Sequence, residues 1–175
     1  MSLQVKTWKP LWVTGIAAIA IVTVLQTWSR WGPQIVINPT VSEPLGFYRI
    51  VMHFVPDYRR GMTVIFPVPV PFESLVYGRG WLKAGVPLMK SIGALEGDEV
   101  CVREDVIEIN ATPMGPVARV DRMNAALPRL RGCFRVEEGM FLPLSRHHDR
   151  SFDGRYMGPQ PLTEITAEAL PLWTF

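Results

Sequence analysis

The longest apolar run lies near the amino terminus, where residues 11–28 read LWVTGIAAIAIVTVLQTW without a charged side chain. A helix needs about 20 mostly apolar residues to cross a bilayer, and this run approaches that length. Trp12 and Trp28 stand at its ends, where tryptophans anchor helices at the membrane interface. The pattern predicts a transmembrane anchor over residues 11–28. A buried helix or a cleaved signal peptide are alternatives, but no small-x-small cleavage pair follows.

The charges beside this run predict its orientation. Lys6, Lys9 and the amino terminus precede it, and Arg30 follows it. Because positive flanks stay on the cytoplasmic side, we expect residues 1–10 in the cytoplasm. Residues 31–175 then form an exported, periplasmic domain held at the inner membrane.

Beyond residue 33 the apolar positions form short, partly alternating runs separated by turn residues, which predicts β-strands. The runs are QIVI, FYRIVMHFV, MTVIFPVPV, DEVCVRED, VIEIN, CFRVEE and MFLPL. ESLVYGRGWLKAG and TEITAEAL have the composition of short helices. The proline-broken VIFPVPVPF stretch fits either the core or a loop against the membrane surface. We expect a mainly β fold, an antiparallel β domain tethered by one N-terminal transmembrane helix.

Composition excludes several classes of protein. Hydrophobic residues make up 48% of the chain, which rules out disorder, and 14 glycines with 16 prolines argue against a helical bundle. The 18 Lys+Arg and 16 Asp+Glu form no basic stripe, so nucleic acid is not an expected partner.

Cys101 and Cys133 are the two cysteines, both in strand-like surroundings. In an exported domain they are candidates for a disulfide, whereas in the cytosol they would stay free thiols. The chain has neither a CxxC motif nor Cys/His spacing typical of zinc. We expect no metal and no cofactor.

Lysine usage is unusual, because only Lys83 and Lys90 follow residue 30, against thirteen arginines. Lys90 lies between Met89 and Ile92. The ordinary interpretation is a surface lysine whose stem packs on apolar neighbours. The alternative is a desolvated lysine whose neutral amine acts as a general base.

A lysine base requires a nucleophile, and Ser42 is the candidate. It lies in NPTVSEPLGFY, where two prolines and a glycine restrict the turn before a predicted strand. Serine in such a place more commonly just caps a turn.

Three segments together resemble the ordered motifs of type I signal peptidases. They are TVSEPLGFY, KSIGALEGD and SFDGRYMGP, and the resemblance is closest to the conjugative-transfer (TraF-type) branch with its S-x-P-x-G-x-Y motif. With the predicted anchor, the segments span nearly the whole chain.

The resemblance implies roles for individual residues. Ser42 matches the nucleophile and Lys90 its general base. The Ser42 N–H would supply one oxyanion donor, and Thr40 matches the hydroxyl that supplies the second. Ser151 matches a serine that hydrogen-bonds the lysine amine.

Asp153 and Arg155 match a structural ion pair near the site.

The chain also departs from the family, since Ser91 stands where Arg is common after the lysine. Glu96 stands where Pro is common, and Gly154 where many members have a second serine.

The histidines offer a rival site. His53, or His147 and His148 with Asp149, suggest a Ser-His-Asp triad or a metal site. Adjacent histidines rarely point at one centre, so we expect them to be solvated.

These features predict a membrane-anchored serine endopeptidase that removes signal or leader peptides from exported proteins. The resemblance favours a pilin precursor of a conjugative DNA-transfer system as its substrate. A general housekeeping signal peptidase and a non-catalytic pilus or secretion assembly component are the alternatives.

Overall fold

The computed structural model describes residues 9–31, 34–52 and 57–175. The chain divides into two units, residues 1–34 and 35–175. In the first unit, helix α1 spans Lys9–Trp31. Within the described residues, no helix has the combined length and apolar character needed to cross a membrane.

The second unit is mainly antiparallel β, as the sequence predicts. One sheet has seven strands in the order β1-β2-β11-β3-β4-β9-β10, and the other has four in the order β7-β6-β5-β8. The bounds are β1 Gln34–Asn38, β2 Gly46–Val51, β3 Thr63–Phe66, β4 Leu88–Leu95, β5 Glu99–Arg103, β6 Val106–Ile109, β7 Thr112–Pro116, β8 Gly132–Arg135, β9 Met140–Pro143, β10 Gln160–Pro161 and β11 Ala167–Thr174. Helices α2 and α3 span Val70–Gly78 and Gly154–Met157.

Two apolar clusters form the core. The first contains Val100, Ile107 and Ile109 of the four-stranded sheet with Leu142 and Leu144. The second lies around β3, β4 and α2, and includes Val64, Phe66, Val68, Val76 and Ile92. The VIFPVPVPF stretch therefore contributes to the core at Val64, Phe66 and Val68, whereas Val70 is exposed.

The helix predicted over TEITAEAL is wrong. Its first two residues lie in a short 3₁₀ turn, Leu162–Glu164, and its last four, from Ala167, belong to β11. Strand β11 pairs with β2 on one side and β3 on the other, so its backbone hydrogen bonds are made between strands. Ala167 and Ala169 are buried, and pairing with the two neighbouring strands overrides the helix preference of alanine.

The second predicted helix is displaced toward the amino terminus. It begins at Val70, with Pro71 in its first turn, and ends at Gly78 instead of covering ESLVYGRGWLKAG. Gly80 follows with a φ of 68°, a conformation that glycine adopts without strain and that terminates the helix.

Strands β5 and β8 carry the two cysteines at directly paired positions. The structure joins Cys101 and Cys133 by a disulfide, with their Cα atoms 4.0 Å apart.

Candidate active site

The loop between β1 and β2 carries Ser42, and a buried asparagine shapes it. The Asn38 Nδ2 donates toward the carbonyl oxygens of Thr40, Glu43 and Pro44 at 3.0–3.1 Å. The Asn38 Oδ1 accepts from both the backbone N–H and the hydroxyl of Thr40. Because one side chain bonds five groups of the loop, the loop has a defined shape without regular secondary structure.

Ser42 is half-buried on this loop. Its Oγ lies 3.4 Å from the Thr40 Oγ1. Its N–H makes no hydrogen bond with any described group, whereas its carbonyl oxygen accepts from the Ser145 hydroxyl. The loop is therefore attached through its carbonyl and leaves the Ser42 N–H available to a ligand. The Thr40 hydroxyl donates to Asn38 at 2.7 Å, so it must rotate before it can serve as an oxyanion donor.

Lys90 lies on the central strand β4, on the same face as Leu88 and Ile92 of the core. Its side chain is buried, and no hydrogen bond from its Nζ is found within the described part of the chain. Burial lowers the Lys90 pKa from its ordinary value, the Asp153 and Glu43 carboxylates raise it, and the Arg155 guanidinium lowers it. Burial dominates, so the neutral amine becomes more accessible at moderate pH than in a solvated lysine.

Glu43 connects the serine loop to the lysine strand. Its carboxylate accepts from the Ser91 N–H at 2.8 Å and from the Ser91 hydroxyl at 3.0 Å. These residues follow Ser42 and Lys90 directly in the sequence, so the link joins the two predicted catalytic segments. Burial raises the pKa of Glu43, and the bonds from Ser91 oppose that rise.

Asp153 and Arg155 form a buried ion pair, with 3.2 Å between the Arg155 Nε and the Asp153 Oδ1. The second Asp153 oxygen accepts from the Ser145 N–H, and Arg155 Nη2 donates to the Ser145 carbonyl at 2.5 Å. The pair thus holds Ser145, whose hydroxyl in turn holds the carbonyl of Ser42. Burial raises the pKa of Asp153, while Arg155 and Lys90 lower it.

Ser151 is buried, and its hydroxyl makes no hydrogen bond with any described group. The bond to the Lys90 amine that the resemblance implies is therefore not made in this structure. An unpaired buried hydroxyl costs about 1–3 kcal/mol, so this group is available to a partner. Nearby, a side chain at Gly154 would place its Cβ 2.5 Å from the Pro143 carbonyl oxygen, which explains the absence of a serine there.

A cavity of about 600 Å³ unites these groups, and Thr40, Ser42, Lys90 and Ser151 all line it. Most of its wall is apolar, including Val76, Leu82, Leu88, Phe152 and Tyr156. The site therefore combines a few polar groups with a dry surrounding, as in most sites for organic ligands.

A separate loop, residues 118–127, closes one side of the cavity. Asp121 fixes this loop by accepting from the N–H groups of Met123 and Ala125. Arg79, at the end of α2, donates to Asp121 at 2.7 Å, and its guanidinium lies over the Trp81 ring. No motif in the sequence predicts this part of the wall.

The histidines do not form a triad with Ser42 in the described residues. The Nδ1 of His148 accepts from the Arg150 N–H, although the residue lines the cavity. Half-exposed His147 lies 3.9 Å from Glu43, and His53 lies outside the described residues. Among the described side chains, no cluster of three or more His, Cys, Asp or Glu could hold a metal ion.

Sequence reasoning singled out Ser42, Lys90 and Ser151, and the structure places all three on one cavity. It missed Asn38, Glu43 and Ser145, which belong to no short motif. One signal could have identified Glu43. An acidic residue beside a candidate nucleophile needs a hydrogen-bonding or charged partner once the segment is buried.

The chain is similar to a known protein family and to individual proteins of two bacteria. Residues 6–173 match the protein family described as signal peptidase, peptidase S26. The conjugal transfer protein TraF of Agrobacterium fabrum is 31% identical over 147 residues, which cover 79% of this chain and 82% of that protein. A probable conjugal transfer protein TraF of Sinorhizobium fredii is 30% identical over 95% of this chain and 91% of its own length.

Among solved structures, a crystal structure of a signal peptidase I from Enterococcus faecalis aligns with a TM-score of 0.40 and 20% sequence identity. The alignment covers 65% of this chain and 97% of that one.

Proposed function

The chain belongs to the signal peptidase family, peptidase S26, whose members are serine peptidases, and on that premise we propose a Ser42–Lys90 dyad as its catalytic centre. The observation that carries the proposal is the placement of a lysine with a lowered pKa and a serine hydroxyl on one apolar cavity. A serine hydroxyl is a weak nucleophile until a base removes its proton. A dry lysine amine can accept that proton.

In the proposed reaction, the Ser42 Oγ attacks the scissile carbonyl carbon while its proton moves to the neutral Lys90 amine. The Ser42 N–H and, after rotation, the Thr40 hydroxyl stabilise the oxyanion. The protonated lysine then gives its proton to the leaving amine, and an acyl-enzyme ester remains on Ser42. Water, deprotonated by Lys90, hydrolyses this ester and restores the free serine.

Ser151 and the Asp153–Arg155 pair support this chemistry from one side of the cavity. The unpaired Ser151 hydroxyl is available to orient the Lys90 amine when a substrate enters. Asp153 and Arg155 carry opposite charges and act on Lys90 in opposite directions, so burial remains the dominant influence on its pKa.

The proposed substrate is an exported precursor protein, most specifically a pilin precursor of a conjugative DNA-transfer system. The names of the TraF relatives support this choice. Although no described helix has the length and apolar character to cross a membrane, we further propose from the sequence that residues 11–28 anchor the enzyme in the inner membrane, with its catalytic domain in the periplasm. The uncharged run and the exposed apolar side chains along α1, such as Ile16, Ile19 and Leu25, support the anchor. Precursors held in the lipid bilayer by their leader peptides would then be within reach.

The decisive experiment is a cleavage assay in membranes with candidate pilin and general secretory precursors, comparing wild type with Ser42→Ala. We expect cleavage of the pilin precursor by wild type and none by the variant. Preferred cleavage of general precursors would instead indicate a housekeeping signal peptidase. Conjugation that survives in Ser42→Ala cells would contradict the catalytic proposal and favour an assembly role.

A further inference from the structure

Glu43 differs from the other buried carboxylates of the described residues in what it contacts. Asp98, Asp121 and Asp153 each form an ion pair with an arginine. Glu43 is 1% exposed, and both of its oxygens instead accept hydrogen bonds from Ser91. The nearest cationic candidate is the half-exposed His147, at 3.9 Å. A buried carboxylate that forms no ion pair with an arginine or lysine is costly, so its retention calls for a specific role.

The position of the two bonds indicates that role. Glu43 follows Ser42 on an irregular loop, and Ser91 follows Lys90 on the central strand β4. Asn38 shapes the loop from within, and Ser145 holds the Ser42 carbonyl, but neither bond joins the loop to β4. We propose that Glu43 is a positioning residue, which fixes the Ser42 loop against the Lys90 strand through its bonds to Ser91. This inference rests on the proposed function.

The link also gives a structural reason for a departure from the family pattern. Ser91 stands where arginine is common, and a serine offers a short hydroxyl beside its backbone N–H. Both donors reach the same carboxylate, at 2.8 and 3.0 Å. Two bonds in this arrangement restrain rotation as well as distance, which a single bond would not.

The charge of Glu43 acts on the site separately from its hydrogen bonds. Around Glu43 lie Lys90 on β4, His147 after β9 and Tyr48 on β2. Lys90 is also influenced by the Asp153 carboxylate and the Arg155 guanidinium. The Glu43 carboxylate raises the Lys90 pKa, against the effect of burial. Removing the charge while keeping the bonds should therefore lower the Lys90 pKa further.

The test compares kcat, KM and pH profiles of precursor cleavage for the full chain and four variants. Glu43→Ala should lower kcat about 10²-fold with KM within about threefold, because small displacements of reacting groups cost that much. Glu43→Gln can still accept from the Ser91 N–H, so kcat should fall less than tenfold. Its acidic limb of kcat/KM should move to lower pH, since this limb reports the base of the free enzyme.

Two further variants complete the set. Ser91→Ala removes one of the two bonds and should lower kcat by roughly tenfold, a loss between those of Glu43→Gln and Glu43→Ala. Glu138→Ala removes an exposed acid from the turn before β9 and should match wild type. Thermal unfolding of each variant measures folding separately from activity.

Wild-type kcat in a folded Glu43→Ala would overturn the positioning role. So would equal losses in Glu43→Ala and Glu43→Gln with an unmoved pH limb. If Glu43→Ala does not fold, the Glu43→Gln pH limb and the Ser91→Ala kcat decide the question. Wild type that fails to cleave, or Ser42→Ala that cleaves, would refute the proposed function itself. Ser42-dependent cleavage with Glu43 variants that match Glu138→Ala would refute only this inference.

Discussion

Several charged side chains are exposed on the four-stranded sheet of the second unit, whereas others are buried around the seven-stranded sheet. On the four-stranded sheet, Arg103 pairs with Glu108 at 2.9 Å while more than half of the arginine side chain stays exposed. Around the seven-stranded sheet, Lys90, Asp153 and Arg155 are each at most 5% exposed. A disulfide cross-links two neighbouring strands of the four-stranded sheet. Buried polar contacts instead connect the elements around the seven-stranded sheet.

This difference in exposure distinguishes charged groups of the scaffold from charged groups retained for function. Exposed ion pairs contribute little, because water and salt screen them. Buried charges must be desolvated, and replacing them with apolar residues is often neutral or stabilising. A fold that needed only stability would therefore not retain a lysine on the core face of a central strand. The buried region has the features of a site, and the exposed region those of a scaffold.

The largest expected contrast is in activity. Lys90→Met should lower the cleavage rate at least ~10³-fold, because the proposed base is lost while the side chain keeps its length. Arg103→Met, the matched change on the other sheet, should leave the rate unchanged. Initial-rate measurements on one precursor make the comparison, and an active Lys90→Met would remove Lys90 from the mechanism.

The same pair of variants should differ in the pH dependence of stability. The Lys90 pKa is lowered in the folded chain, so the unfolded chain binds an extra proton between that pKa and about 10.4. Wild type should therefore lose stability as pH falls through this window, and Lys90→Met should lose less. Urea unfolding at several pH values measures this, and parallel curves would show that Lys90 is not desolvated.

Breaking a buried ion pair should cost more stability than breaking an exposed one. Asp153→Asn leaves Arg155 buried without its counter-charge, so we expect a loss of about 3–5 kcal/mol in the free energy of unfolding. Asp105→Asn, at the partly exposed contact with Arg119 and Arg129, should change it within experimental scatter. Chemical denaturation of both variants provides the test, and similar losses would contradict the proposed contrast.

The disulfide should stabilise the scaffold without affecting the chemistry. Replacing Cys101 and Cys133 together by serine should cost about 3–4 kcal/mol in the chain-entropy model, for a separation of 32 residues. The cleavage rate of the folded fraction should stay close to that of wild type. A large fall in kcat in the folded double variant would show that the two sheets are coupled.

The smallest effect is expected at His148. Its ring lines the cavity, yet its Nδ1 is engaged by the Arg150 N–H, so His148→Ala should change the rate by less than about threefold. Inactivation by this substitution, in a variant that still folds, would restore the Ser-His-Asp hypothesis.

Sequence alone identified the features that local patterns encode. Alternating apolar runs marked most strands, including β1, β5, β6 and β9, and three motifs identified the family. The pattern did not predict the strand after Glu164, because the composition of that segment is typical of a helix. It is a strand because it pairs with β2 and β3. The Lys90 strand was also not recognised, since a lysine interrupts the apolar residues of its buried face and Met89 and Leu95 make its other face apolar as well.

The candidate site likewise contains residues that local patterns identify and contacts that only the folded structure shows. Ser42 and Lys90 were found because a serine between turn residues and an isolated lysine in an apolar segment are local signals. The contacts of Glu43 with Ser91 and of Ser145 with Ser42 join residues 48 and 103 positions apart. Hydrogen bonds over such separations leave no periodicity or spacing in the sequence, and their partners are chosen only when the strands pack. The sequence by itself thus determined which residues are proposed to carry the chemistry, and the tertiary structure decided how they are held, because burial and long-range contacts arise only in the folded chain.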